Sequence, residues 1–497
     1  MIASAPADLA RYDAEIGRLQ GGMDRMLSER VVLQEYLDKC RGAFSPVRQL
    51  PLEILAHIFA FCSPDLIPYH DPDKTIPYDS FRRAAQLHLL RLSQVCSGWR
   101  QTVIGTPSLW ATIEADLATD IDTVNKSILL LSRSFERSAH HPLAIHVAAI
   151  DGDAARGLEV LAQQSQRWRS ADIFMYHMNA HSLSSIKGNL TLLERLYLNC
   201  RDHPNIAPID IFEFAPKLTR VDLVAVGATP VLPWSQLREI TVYSDFDSQD
   251  MVGAFGILPH CSSECSVRLY GLNTSDWRMP MSVRPVNSQL RSLALKLEDR
   301  HDSRHCRQVL GGILAQVTSP NLRSLCFRAS SINYPLHWPR DHFVAFASRS
   351  SLRERLSMLY LHNMVMTESD LVECLSEMHA LLHLFIQDVS CSGVGEADRM
   401  LITDSLLQRL TWTHDRTSLV PRLSSLHVAT LFTFDNHLLL DFITSRITPG
   451  DRDDRFEMAV GWMTRKEPVI QDSVLTRICE LRSQGKLHWR LQRYQTD

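Results

Sequence analysis

Two stretches, Leu290-Arg291-Ser292-Leu293-Ala294-Leu295-Lys296 and Leu322-Arg323-Ser324-Leu325-Cys326-Phe327-Arg328, repeat one pattern of apolar and polar residues 32 positions apart. In each, apolar side chains hold the first, fourth and sixth places. The last two are separated by one residue, the period of a short strand with one apolar face. Working outward, the pattern recurs at Leu193/Leu196/Leu198, Leu218/Val221/Leu223, Leu237/Ile240/Val242, Leu356/Leu359/Leu361, Leu381/Leu384/Ile386 and Leu423/Leu426/Val428, with a degenerate copy at Val267/Leu269. The middle positions up to 384 are 196, 221, 240, 267, 293, 325, 359 and 384, in steps of 25, 19, 27, 26, 32, 34 and 25.

Steps of about 20–29 residues, with longer ones as insertions, are the periodicity of leucine-rich repeats. The cause is physical: one strand and its return segment cannot bury the apolar face alone, so units stack. Residues 114–497 therefore read as an α/β leucine-rich-repeat-like solenoid, with parallel strands on the concave face and helices outside. Ile145 and Ile173 extend the series upstream, and Glu368 to Met378 is one of the intervening helices. Leu407/Leu410/Trp412 is discounted, because it follows Thr403-Asp404, a helix cap. Phe456, Met458, Val460 and Trp462 alternate as a strand. A helix over Val474 to Arg482 ends at Gly485, and His488 to Leu491 is a last strand; together these read as a closing cap.

A second signature lies upstream, over residues 45–113. It begins Leu50-Pro51-Leu52-Glu53-Ile54-Leu55, runs to Ile58-Phe59, resumes at Val95-Cys96-Ser97-Gly98-Trp99-Arg100 and closes with Leu109-Trp110. Pro51 suits the first position of a helix, and Glu53 then faces the positive end of its dipole. Ile54, Ile58 and Phe61 form one apolar stripe at helical spacing; Leu55, Phe59 and Cys62 form another beside it. A small bundle needs one such stripe for its core, so the other implies a permanent partner. Leu89, Leu92, Cys96 and Trp99 repeat the spacing on a second helix. These residues resemble the F-box, a small all-helical domain that docks on the Skp adaptor of a cullin-RING ubiquitin ligase. The resemblance implies that Leu50, Pro51, Ile54, Leu55, Ile58, Phe59, Val95, Cys96 and Trp99 make or support that contact. The chain departs from the family at about 63–84, a Pro-rich insertion read as a loop.

Residues 1–44 carry apolar positions at alternating steps of three and four: Leu9, Tyr12, Ile16, Leu19, Met23, Met26, Leu33, Leu37 and Cys40, interrupted at Arg30. This is a heptad repeat, with Gly21 and Gly22 in its middle. It reads either as a coiled coil pairing two copies of the chain or as an amphipathic helix packed on its own F-box. A helix followed by Ser-Pro and an F-box is similar to the arrangement in a large fungal F-box family.

Composition narrows the function. A net charge of −4 and a pI near 6.6, with no basic run, argue against nucleic-acid binding. No run of apolar residues is long enough to span a membrane. Eleven Cys without repeated spacing, and no signal-peptide layout at the N-terminus, point to a reducing compartment, cytoplasmic or nuclear. There the sequons at Asn125, Asn189 and Asn273 go unused. Cys261, Cys265, His301, His305 and Cys306, with Asp299 and Asp302, imitate a metal site without a second Cys pair to support it, and no metal is expected. Gly393-x-Gly395 lacks the third glycine of a dinucleotide site. No catalytic motif and no cofactor are expected.

Strand periodicity also places a binding face. Residues alternating with the apolar ones must point away from the core. They include Arg195 and Tyr197, Arg220 and Asp222, Glu239 and Tyr243, Arg268 and Tyr270, Lys296, Arg328, Tyr360 and Phe385. Arg and Tyr are enriched at binding hot spots, and Arg holds carboxylate or phosphate with two bonds. This face is expected to point to solvent and to bind an acidic or phosphorylated segment of a protein target. The whole chain thus reads as the substrate receptor of an SCF-type ubiquitin ligase. A non-ubiquitin leucine-rich-repeat scaffold and a small-molecule-sensing F-box receptor stay open.

Overall fold

The computed structural model describes residues 5–43, 46–62, 84–117, 121–149, 154–201, 208–224, 229–243, 256–273, 286–298, 303–329, 335–389, 400–413, 419–447, 455–463 and 467–494. The chain folds as two compact units, residues 1–65 with 84–109 and residues 66–83 with 110–497. The boundary falls between Leu109 and Trp110. Of the inserted segment, 63–83 lies outside the described residues.

The first unit is helical: α1 (Ala5–Ala43), α2 (Leu52–Cys62), α3 (Ala84–Ser93) and α4 (Ser97–Gly105). Helix α2 starts one residue later than its sequence suggests. Pro51 sits just ahead of it, and its carbonyl accepts the first helical bond from Leu55 N–H at 3.0 Å. The single helix expected over Leu89 to Trp99 is two. Gln94 and Val95 turn back onto the end of α3, and Cys96 caps α4, its Sγ accepting from the Trp99 N–H at 3.5 Å. A side chain that bonds to backbone two or three residues ahead starts a new helix rather than extending the old one.

In the second unit, among the described residues, fourteen parallel strands form one sheet in sequence order. They are β1 (Thr112–Asp116), β2 (Leu143–Ala149), β3 (Trp168–Tyr176), β4 (Arg195–Arg201), β5 (Arg220–Val224), β6 (Glu239–Tyr243) and β7 (Ser266–Asn273). The remainder are β8 (Ser292–Glu298), β9 (Ser324–Ala329), β10 (Met358–His362), β11 (His383–Gln387), β12 (Ser425–Thr430), β13 (Phe456–Trp462) and β14 (Leu487–Arg493).

The repeat motif sets the register. Leu196, Val221, Ile240, Val267, Leu293, Leu325, Leu359, Leu384 and Leu426 pair in turn across β4 to β12, and each is buried. The same row continues through Met458 to Trp489. The expected closing cap is therefore two further rungs of the sheet, because its alternating residues match their neighbours row for row. Upstream, Ala171 rather than Ile173 lies opposite Leu196, and Ile173 pairs with Leu198. This shift of two keeps both residues on the buried face.

Helices Ser303–Gln316, Arg340–Arg349, Asn436–Arg446 and Asp472–Ser483 pack on that face, their Ile313, Phe343, Phe442 and Ile478 entering the same core as the Leu rows. Thr403 caps the helix Asp404–Leu410, accepting from the Leu406 N–H at 3.1 Å. Gly485 ends the last helix at φ 70, a left-handed turn that glycine adopts without strain. Asp388, just past β11, is fully buried and staples the chain. Its Oδ1 accepts from the N–H groups of Leu401 (2.7 Å) and Ile402 (3.2 Å), its Oδ2 from Thr430 Oγ1 (2.8 Å) and the Leu431 N–H (3.0 Å). Burial pushes its carboxyl above the usual carboxylate range, against the pull of those four donors.

Candidate functional site

Two surfaces carry the candidate residues. The first is on α2, where the two sequence stripes separate. Leu55 and Phe59 are buried in the helical unit, 4% and 1% exposed, and the Phe59 ring meets Trp99 edge-on at 4.8 Å. Trp99 and Cys96 are half-buried on α4 and in its cap. Ile54 and Ile58 are exposed, and Phe61, one turn further along the same stripe, is 87% exposed. Pro51, Leu52 and Val95 are exposed as well, and Leu50 is half-buried. Of the nine expected adaptor-contact residues, Leu55, Phe59, Cys96 and Trp99 build the unit, Pro51, Ile54, Ile58 and Val95 present apolar surface, and the half-buried Leu50 falls between the two groups. Phe61 belongs with the second group, and its helical spacing from Ile58 was the signal for it.

The second surface is the sheet face opposite the core. The expected parity holds, with Tyr197, Asp222, Thr241, Arg268, Ala294, Cys326, Tyr360 and Phe385 in one continuous row. The expected solvation does not. Arg195, Arg220 and Tyr360 are exposed, but Tyr197, Asn199, Thr241, Lys296 and Gln387 are buried. Parallel strands stand about 4.8 Å apart, so long side chains on consecutive strands cover one another. Tyr243 and Tyr270 meet edge-on at 5.5 Å, and Lys296 Nζ lies 5.9 Å from the Tyr270 ring centre. Tyr360 and His362 each stack on Phe385 at 6.1 Å.

This face is also concave. Tyr494 continues β14 onto β13, its N–H bonded to the Trp462 carbonyl at 3.0 Å, yet its hydroxyl lies 2.8 Å from Nε2 of His362 on β10. Four strand spacings on a flat sheet are about 19 Å, more than a Tyr and a His together can span. Gly461 permits the crossing, because a Cβ there would lie 3.1 Å from Tyr494 Cβ. No repeat motif marks Tyr494, so sequence reading missed it.

The face divides electrostatically. Over β5 to β9, Glu239 takes both Arg220 (3.7 Å) and Arg268 (3.4 Å), and Arg220 also reaches Asp222 at 3.3 Å. Two of the five expected cations are therefore already engaged by carboxylates. Burial pushes the Cys326 thiol up to about 11, while the Arg328 and Arg268 guanidiniums pull it the other way. Burial, with the nearby Asp222 charge, also raises the Tyr243 hydroxyl. Over β12 to β14, Glu457 lies between His427 (3.4 Å) and His488 (3.3 Å). Burial works to raise its carboxyl, but the two imidazoles prevail and hold it below the usual range.

Among the described residues, no group of His, Cys, Asp and Glu is placed to hold a metal. Cys261 and Cys265 are buried free thiols; a hydrogen bond with Cys265, then burial, raises the Cys261 thiol. Asp299, His301, Asp302 and the Gly393-x-Gly395 segment lie outside the described residues. No described helix is long and apolar enough to cross a membrane.

A search of curated proteins found no match to the chain. Residues 47–115, which contain α2, α3, α4 and the exposed stripe of α2, match the F-box-like family, and the chain carries an F-box-like domain there.

Proposed function

We propose that this protein is the substrate receptor of an SCF-type cullin-RING ubiquitin ligase. The exposed stripe of Ile54, Ile58 and Phe61, beside a core complete without it, carries the reading. The F-box-like match over the same helices supports the Skp adaptor as the partner that covers it. The parallel sheet in sequence order, with helices on its buried face, is read as a leucine-rich-repeat solenoid whose concave face holds the protein target. The chain performs no chemistry in this reading. It raises the local concentration of a target lysine beside a ubiquitin-charged enzyme.

The experiment is co-purification of the full-length chain with the Skp adaptor. The wild type forms a stoichiometric complex. Ile58→Asp weakens it by 100-fold or more, about 2.7 kcal/mol, because a carboxylate enters a dry interface without a partner. Its melting temperature stays within about 2 °C of wild type, since Ile58 lies outside the core. A wild type that ignores the adaptor, or an Ile58→Asp variant that binds it equally well, overturns the proposal.

A further inference from the structure

Helix α1 is 39 residues long, about 58 Å at 1.5 Å per residue. Every residue of it whose burial is described is exposed, except the half-buried Gly22 and Cys40. The reading of α1 as a helix packed on its own F-box is therefore overturned. Leu9 is 63% exposed, Ile16 51% and Met26 66%. Gly17, Gly21 and Gly22 each weaken the helix, and nothing lies within 4 Å of a Cβ built on any of them. A helix this long, with three weakening residues and no packing of its own, draws its stability from a partner.

We propose that this partner is a second copy of the chain, lying antiparallel along the whole of α1. The heptad core positions are 9, 16, 23, 30 and 37 in one set and 12, 19, 26, 33 and 40 in the other. Run antiparallel, the two sets face each other with no position left over. Leu9 meets Cys40 of the second copy, Tyr12 meets Leu37, Ile16 meets Leu33, Leu19 meets Arg30, and Met23 meets Met26. Charge chooses the direction. A parallel pair sets Arg30 against Arg30 in the core and Asp8 opposite Asp13 at the flank, two like-charge contacts. The antiparallel flanks are Asp13 with Gln34, Gln20 with Leu27, Glu15 with Tyr36 and Gly22 with Glu29, none of them like-charged. Glu15, one turn before Leu19, also comes beside Arg30 of the second copy. Nine apolar side chains from each copy bury on the order of 1,000 Å², the lower bound of a specific interface.

The test is light scattering on the full-length chain at tens of micromolar. The expected mass is twice the 56.5 kDa of one chain. Ile16→Lys and Leu33→Glu each give a monomer, and the two together restore the dimer, because the new Lys then faces the new Glu. Under mild oxidation, with bridges mapped by peptide digestion, Leu9→Cys forms an inter-chain disulfide with Cys40. A monomeric wild type overturns the pairing. A Cys40–Cys40 bridge, or a double variant no better than the single ones, overturns the antiparallel arrangement.

Discussion

Helix α2 and strand β9 each carry two rows of side chains and dispose of them differently. On α2 the inner row, Leu55 and Phe59, completes a core, and the outer row, Ile54, Ile58 and Phe61, is apolar and in water. On β9 the inner row, Leu325 and Phe327, is equally buried, but the outer row is Ser324, Cys326 and Arg328, half-buried among its neighbours. A bare apolar row costs free energy until something covers it, which suits a standing partner. A crowded polar row is shielded by its neighbours, and a partner must offer matching polar groups to displace them, which suits selective recognition. In the proposed function, the helical unit is the part that is occupied and the sheet face the part that discriminates.

Removing core side chains tests the separation most severely. Phe327→Ala is expected to cost about 3–5 kcal/mol of stability, read as a fall in melting temperature, while the adaptor still co-purifies. Phe59→Ala carries a similar cost in a much smaller unit and is expected to lose the adaptor as well. Loss of the adaptor from both variants alike would show that the two units do not act independently.

A smaller effect is expected on the sheet face. Arg268→Glu with Arg328→Glu reverses two charges around Cys326 and places one beside Glu239. Native partners other than the adaptor are expected to be lost in a pull-down. Wild-type binding should weaken with added salt, and the melting temperature should fall by only a few degrees. Retention of every partner would sink the assignment of target binding to this face.

The smallest effect concerns Glu457. Its carboxyl lies below its ordinary value of 4.5, so its contribution to stability is present above that value and disappears as the pH falls through the lowered one. Glu457→Gln is expected to melt slightly below wild type near pH 6, with the gap closing as the pH falls through the lowered value. A gap that persists in acid would assign the effect to packing rather than to charge.

Much of this architecture is legible in the residue order. The ladder from Leu196 to Leu426 follows from residue spacing alone, because buried parallel strands must present their apolar residues in line. The two stripes of α2 were legible for the same reason, but which of them faced inward was not. Periodicity finds stripes, and only the packing of Trp99 against Phe59 assigns them. The register at Ile173 differs from the expected one by two, with Ala171 in the row instead, because both residues are apolar and buried on the same face and spacing alone does not choose between them. The last two strands looked like a cap because their motif drops the leading Leu.

What the residue order settled, then, is the class of each region: a heptad helix, an F-box-like helical domain and a parallel α/β repeat sheet. All three rest on spacings that any compact form of the chain must satisfy. Tertiary structure decided what the surfaces are. Glu239 neutralises Arg220 and Arg268 from an adjacent strand, and Tyr494 reaches His362 across a curved face. Both depend on distances between residues far apart in the chain. Local periodicity carries no record of those distances, because they are set by how strands stack and how far the sheet bends.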